Sequence, residues 1–318
     1  MARTIMLPAD NDLLKRKPKL TVQRGVYTYT IETHGDRSTY NVTDGTRTVS
    51  FPIHWSFGVG VQAWLLEKDG KFYESLVSYY PETDRLDLTV GDEGLHPNTL
   101  EEAAGRLITE PVLKDCFGCH ASNAVVHDRL SLATAEPGVT CEHCHTGATA
   151  HLVSALQGRV DAPESLRKLS SEDMSTFCGK CHRTWETVVR NGWRGTANVR
   201  FAPYRLANSK CFDGTNSRIS CVACHNPHEA VDQRTTAYDS KCLACHATTQ
   251  GPAATRPAAI SSVVQTAAPI ASSVAKSCPV AKSDCVSCHM PKVSLPDEHV
   301  TFRDHWIRVV RPGDRYPD

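Results

Sequence analysis

The 318-residue chain is poor in several things that an ordinary enzyme or a nucleic-acid binder needs. Only 7% of its residues are aromatic and 40% are hydrophobic, a thin supply for an interior filled with Leu, Ile and Phe. Something other than aliphatic side chains is expected to fill part of it. Lys plus Arg number 35 and Asp plus Glu number 35, so no basic excess exists to hold nucleic acid or an anionic membrane surface. An uncharged stretch, 257–275, contains Pro257, Pro269 and repeated Ser, Thr and Gln, and is too polar to span a bilayer. The first twenty residues carry Lys15, Arg16, Lys17 and Lys19 with no apolar run behind them, which is not a secretory leader. Methionine is scarce as well, with four in the chain.

Cysteine and histidine are abundant, at 14 and 15. Twelve of the cysteines fall into six copies of CxxCH: Cys116, Cys119 and His120; Cys141, Cys144 and His145; Cys178, Cys181 and His182; Cys221, Cys224 and His225; Cys242, Cys245 and His246; Cys285, Cys288 and His289. Scattered at their own frequencies, these residues would produce roughly 0.03 copies. Two thiols three residues apart lie on one side of a helical turn, where they can form thioethers to the two vinyl groups of a haem, and the next His reaches the iron. A structural zinc site normally joins two CxxC pairs and does not require the adjacent His. The spacing therefore predicts six covalently attached haems c, each with the motif His as proximal iron ligand.

From Cys116 to His289 there are about 29 residues per haem, too few for a conventional core around each porphyrin. The haems are expected to be that core, inside a mainly α or irregular fold built around stacked haems. Their propionates would move the formal charge from zero to roughly −6 with ferric irons and roughly −12 with ferrous ones.

Distal ligands must come from what remains. Met1 and Met6 lie in the N-terminal tail and Met290 follows a proximal His, leaving Met174 as the one plausible thioether ligand. Mostly His/His irons of low potential are expected. His143 lies about 200° round its turn from Cys141, pointing away from its own haem, so it either ligates a neighbour or sits exposed at a haem edge. His151 and His228 are too near their own proximal His to reach the opposite face of the same porphyrin. Each is expected to serve another haem, with a surface position or a propionate hydrogen bond as the alternative. His299 and His305, in EHVTFRDHW, lie in a tail that must pack on the haem array, and at least one is expected to be a ligand. Cys211 and Cys278 are left over, either as a disulfide or as two buried free thiols.

The remaining chain reads differently. Residues 1–20 are taken as a tail, 21–97 as a small antiparallel β region, 98–246 as the domain of haems one to five, 247–283 as an Ala/Ser/Pro-rich linker or insertion, and 284–318 as the sixth motif with the C-terminal tail. Asp44-Gly45 and Asp69-Gly70 between β-rich runs predict two hairpins, which form either a lid or docking face over the first haem or a structural cap. Thr99 with Glu102 starts a helix that Pro111 ends, and a second helix is predicted from Ser171 to Asn191-Gly192.

With GVTCEHCHTGATAHL, FCGKCHRTWE, RISCVACHNPH, DCVSCHMPK and FRDHWIRVVRP, the stretch from Cys116 to Pro312 resembles the bacterial multihaem cytochromes c with doubled CxxCH motifs. These are related to the tetrahaem cytochromes of ammonia oxidisers. The resemblance implies a periplasmic or exported electron carrier with mainly bis-His haems in closely packed pairs, and distal roles for His151, His228 and His305. Where many relatives have GPG, this chain has TGA in CHTGATAH.

The leading expectation is electron transfer between redox partner proteins through six closed irons, with no substrate converted. The rival is an oxidoreductase of nitrite or hydroxylamine at one five-coordinate haem. It lacks the CxxCK variant that one class of nitrite reductase uses, since all six copies end in His. A third possibility shares the chemistry but self-assembles into a haem wire or docks on a membrane complex. Attachment of haem to CxxCH occurs outside the cytosol, so a periplasmic or extracellular location is expected.

Overall fold

The computed structural model describes residues 4–92, 94–159, 163, 165–215, 218–246, 278–295 and 299–317. Most of the stretch read as a linker, 247–277, lies outside the described residues.

The N-terminal region is an antiparallel sheet. Its strands are β1 (Ile5–Met6), β2 (Lys19–Arg24), β3 (Tyr27–His34), β4 (Arg37–Thr43), β5 (Thr48–Phe57), β6 (Ala63–Lys68) and β7 (Lys71–Ser75). A short hairpin of β8 (Val77–Tyr80) and β9 (Arg85–Leu88) follows, and β10 (Gly105–Leu107) returns to pair with β7. The order across the large sheet is β10-β7-β6-β5-β4-β3-β2, with β1 laid on the end of β5.

Period-two patterning explains the buried face. Tyr27, Tyr29 and Ile31 of β3, Ser38, Tyr40 and Val42 of β4, and Phe51 and Ile53 of β5 point inward, and Trp64 and Leu66 complete the core from β6. Two turns set the register. Asp44 Oδ1 accepts the amides of Thr46 and Arg47 at 2.8 Å between β4 and β5. Asp69 and Gly70, at φ 53° and 72°, make the tight turn between β6 and β7.

The sheet is larger than the two hairpins read from sequence, because β2, β3 and β10 extend it, and part of the stretch read as a tail, 1–20, joins it through β1 and the start of β2. Asn11 caps α1 (Asp12–Arg16), its Oδ1 accepting the amides of Leu13 and Leu14, and both leucines are buried in the sheet core. The helix opened by Thr99, α2 (Leu100–Ala104), is also shorter than expected. At Gly105 the backbone runs so close to the carbonyl of Glu74 that a Cβ would stand 2.0 Å from the oxygen, and the chain leaves as β10. Pro111 then sits in the first turn of α3 (Glu110–His120) and begins a helix where the sequence reading had it ending one.

Beyond α3 the elements are short: α4 (Cys141–Cys144), α5 (Ala148–Leu156), α6 (Ser171–His182), α7 (Trp185–Arg190), α8 (Ala202–Ala207), α9 (Cys221–Cys224), α10 (Asp239–His246) and α11 (Cys285–His289). The helix predicted over 171–191 is broken. Arg183 takes φ 63°, Thr184 caps α7 by accepting the amide of Thr187, and a Cβ on Gly179 would stand 2.4 Å from the Thr184 methyl. Among the described residues no helix is long and apolar enough to cross a membrane.

Candidate haem sites

All six CxxCH copies lie on helical turns. The first, third and fifth close α3, α6 and α10, while the second, fourth and sixth begin α4, α9 and α11, with His145 and His225 as the C-caps of α4 and α9. This puts the two Sγ atoms of each copy on one side of a turn and its His at the exit, the arrangement the chemistry requires.

The copies also meet one another. Cys119 and Cys181 hydrogen-bond, joining the first copy to the third, and Cys119 Sγ lies 3.7 Å from the Lys180 carbonyl. Cys178 and Cys221 join the third to the fourth, and Cys242 and Cys285 join the fifth to the sixth. Cys144 lies within electrostatic reach of Cys181, and Cys224 of Cys242, which brings the second copy to the third and the fourth to the fifth. Hydrogen bonds from Cys119 and His143 hold the free Cys181 thiol well below its ordinary range, and the same pairing together with burial pushes Cys119 up.

Two imidazole pairs stand out. The rings of His145 and His228 have centres 6.0 Å apart and nearly parallel planes, at 13°. His225 and His305 are 6.2 Å apart at 46°. A metal–nitrogen bond of about 2 Å plus roughly 1.1 Å from nitrogen to ring centre, doubled, places two imidazoles on one metal ion roughly 6.2 Å apart. Both pairs have the centre-to-centre spacing that two imidazoles on one metal ion would have, and that spacing is compatible with the group their motifs imply.

Several imidazoles are fixed by backbone carbonyls. The Nδ1 of His120 donates to Thr4 O at 3.0 Å, that of His289 to Arg308 O at 2.9 Å and that of His305 to Arg303 O at 3.0 Å. A ring with Nδ1–H so engaged presents a neutral Nε2, the form in which His binds metal. Burial lowers the pKa of His120, His225 and His305, which favours the same neutral form.

The other candidates are distributed as follows. His143 hydrogen-bonds Cys181, with its Nδ1 3.5 Å from Ser122 Oγ. His151 lies inside α5, its amide bonded to Gly147 O. His182 closes α6 within electrostatic reach of His225 and His305. His246 ends α10 on an exposed face. His299 lies elsewhere, with Nε2 2.6 Å from Asp87 Oδ2 and its ring against Tyr80. Met174 is buried, its sulfur 3.9 Å from Cys178 Sγ. Cys211 and Cys278 are exposed free thiols, and Cys211 lies within electrostatic reach of Cys242 and Cys245.

The sheet touches the first motif directly. Thr4 Oγ1 donates to His120 O at 2.9 Å, and Trp55 and Phe57 meet Phe117 edge-on at 5.6 and 5.5 Å. Phe57 also lies 5.3 Å from the His120 ring. Sequence reasoning missed this role of Thr4 and Phe57, and also the buried Arg205 and Asp304. Asp304, beside His305 in FRDHW, carried a weak local signal; Arg205, inside an ordinary helix, carried none.

The model of the family Cytochrome c554 and c-prime matches residues 95–146, a stretch that ends just after the second CxxCH copy. That match supports a c-type cytochrome, a protein of covalently bound haem c that transfers electrons. No curated protein and no solved structure matches the chain.

Proposed function

We propose that this chain is a multihaem cytochrome c, of the doubled CxxCH group, that carries electrons through six covalently attached haems, most of them bis-His. The observation that carries the reading is the spacing of His145 against His228 and His225 against His305, each pair one axial-ligand span apart. When bound, each haem supplies a one-electron Fe(III)/Fe(II) couple. The chain's part is to close both faces of the iron, tune it through its ligands and set the distance to the next haem.

The contacts between cysteines of different copies support a continuous relay. The third copy receives the first and second and leads on to the fourth, fifth and sixth. From residue 110 onward the fold is organised around these haems, and the sheet is a lid on the first of them, held by Thr4 and Phe57. The protein works outside the cytosol, in the periplasm or at the cell exterior, between a donor and an acceptor protein.

The test is an absorption spectrum of the holoprotein, ferric and then reduced, with haem per chain quantified and carbon monoxide added. Six haems, a low-spin spectrum and no response to carbon monoxide are expected. A high-spin component near one-sixth of the total, with a matching carbon monoxide shift, would overturn the closed relay in favour of an oxidoreductase of a small nitrogen compound at one open iron.

A further inference from the structure

His305 stands in a C-terminal strap, residues 301–311, with no regular element of its own after Arg303. A ligand on irregular chain keeps its aim only if something rigid holds the backbone on both sides. That support comes from α8. Arg205 and Asp304 are fully buried and form a two-point ion pair, Nε to Oδ1 at 2.9 Å and Nη2 to Oδ2 at 3.0 Å. The guanidinium lies over the rings of Trp306 and Tyr316, 5.0 and 4.5 Å from their centres, and its Nη1 donates to Pro317 O at 2.9 Å. Asp304 Oδ1 also accepts the Trp306 amide at 3.0 Å, and Oδ2 accepts Arg308 Nη1 at 2.6 Å.

The residues on either side of His305 are thus clamped by one carboxylate. Ser209, just after α8, adds a second fastening: its Oγ donates to His305 O at 3.4 Å and accepts the Ile307 amide at 2.8 Å. Inside this frame the His305 Nδ1 is taken by Arg303 O, and the ring faces His225.

We propose that the buried Arg205–Asp304 pair, with Ser209, is a positioning device that holds His305 in place as the sixth ligand of the fourth haem. The proposal rests on reading His305 as that ligand. A pair kept only for stability has no need to embrace the two neighbours of an imidazole. A buried ion pair is weak evidence for stability, because desolvation offsets most of its attraction, whereas its fixed bidentate geometry is well suited to specifying one arrangement.

The experiment uses full-length holoprotein carrying Asp304→Asn, Arg205→Lys or Ser209→Ala, with His305→Ala as reference. Haem per chain, ferric spin state and carbon monoxide binding to the reduced protein are measured. Asp304→Asn is expected to keep its haems but turn about one iron in six high-spin and reactive to carbon monoxide, with added imidazole restoring the low-spin spectrum. Arg205→Lys keeps the charge without the two-point fork and is expected to open a smaller share of the same iron. Ser209→Ala removes one hydrogen bond, which shifts the closed-to-open balance of the same iron about fivefold, and is expected to give the smallest carbon monoxide-reactive share of the three variants, still above the nil response of the unmodified protein.

A merely structural pair would lower thermal stability in these variants and leave spin state and carbon monoxide reactivity unchanged. That result overturns the proposal. If the ion-pair variants do not accumulate with full haem, Ser209→Ala decides: an unchanged reactive fraction overturns the proposal and the predicted rise supports it. The reference separates the two readings. A His305→Ala protein that stays low-spin defeats the assignment of His305 as ligand, while one that opens beside a closed Asp304→Asn protein defeats only the positioning role.

Discussion

The two regions of this molecule bury different things. Of the 34 buried hydrophobic side chains among the described residues, 23 lie at or before Ile108, and both apolar clusters draw on residues no later than Ala135. The sheet has a conventional interior of Leu14, Ile31, Tyr40, Trp64 and Leu66. Beyond Ala135 the chain is longer and its described residues bury few apolar side chains, yet it holds five of the six CxxCH copies. The lesson is one of substitution. Where a chain supplies little aliphatic core, the haems proposed above would be its substitute, and folding of that part would then depend on them.

Withholding haem attachment should break the comparison open most widely. The sheet, with its own core, is expected to stay folded and resist trypsin, while the part from Cys141 onward is digested. Limited proteolysis with mass spectrometry of the fragments reads this, and equal digestion of both parts would refute it. Next comes replacing one member of an imidazole pair. His228→Met should raise one haem potential by on the order of 0.1 V, a fraction of the roughly 0.8 V that axial ligands command, with the other haems unmoved in a redox titration.

Damage to the sheet should stay in the sheet. Trp64→Ala is expected to lower the stability of the N-terminal region by about 3–5 kcal/mol, measured by denaturant unfolding of the far-ultraviolet strand signal, with haem content unchanged. Gly105→Ala forces a Cβ against the Glu74 carbonyl and is expected to cost about 1–3 kcal/mol in the same assay. The smallest effect concerns pH. Hydrogen bonds from Lys17 and Tyr79 hold the Asp84 carboxyl below the ordinary aspartate range. Since the folded value is depressed, its contribution is present above the unfolded pKa and lost as pH falls through the folded one. Asp84→Asn should flatten that acid-side slope of sheet stability, and an unaltered pH profile would show that the pair contributes nothing.

How much was legible depended on how local each cause was. The turns at Asp44-Gly45 and Asp69-Gly70 are written in adjacent residues, and the structure has them. The caps at Asn11 and Thr184 are equally local, but neither entered the sequence reading. The longer helices were overestimated because their breaks are tertiary. Gly105 leaves α2 to lie against Glu74, and Arg183 turns out of α6 so that Thr184 can pack on Gly179. The entry of residues 5–20 into the sheet was hidden for the same reason, since Leu13 and Leu14 become core residues only when strands far along the chain are beside them.

By itself, the sequence determined that two thiols and an imidazole fall within five residues at each of six places, an arrangement set by the helical turn they occupy and the one that covalent haem attachment would use. It also determined how thin the supply of hydrophobic and aromatic residues is. Only the tertiary structure decided which imidazole faces which. His145 meets His228 across 83 positions and His225 meets His305 across 80, while His299, six residues from His305, goes to Asp87. Those pairings depend on long loops closing and on a buried carboxylate finding Arg205, 99 residues away. No local pattern encodes such a partner.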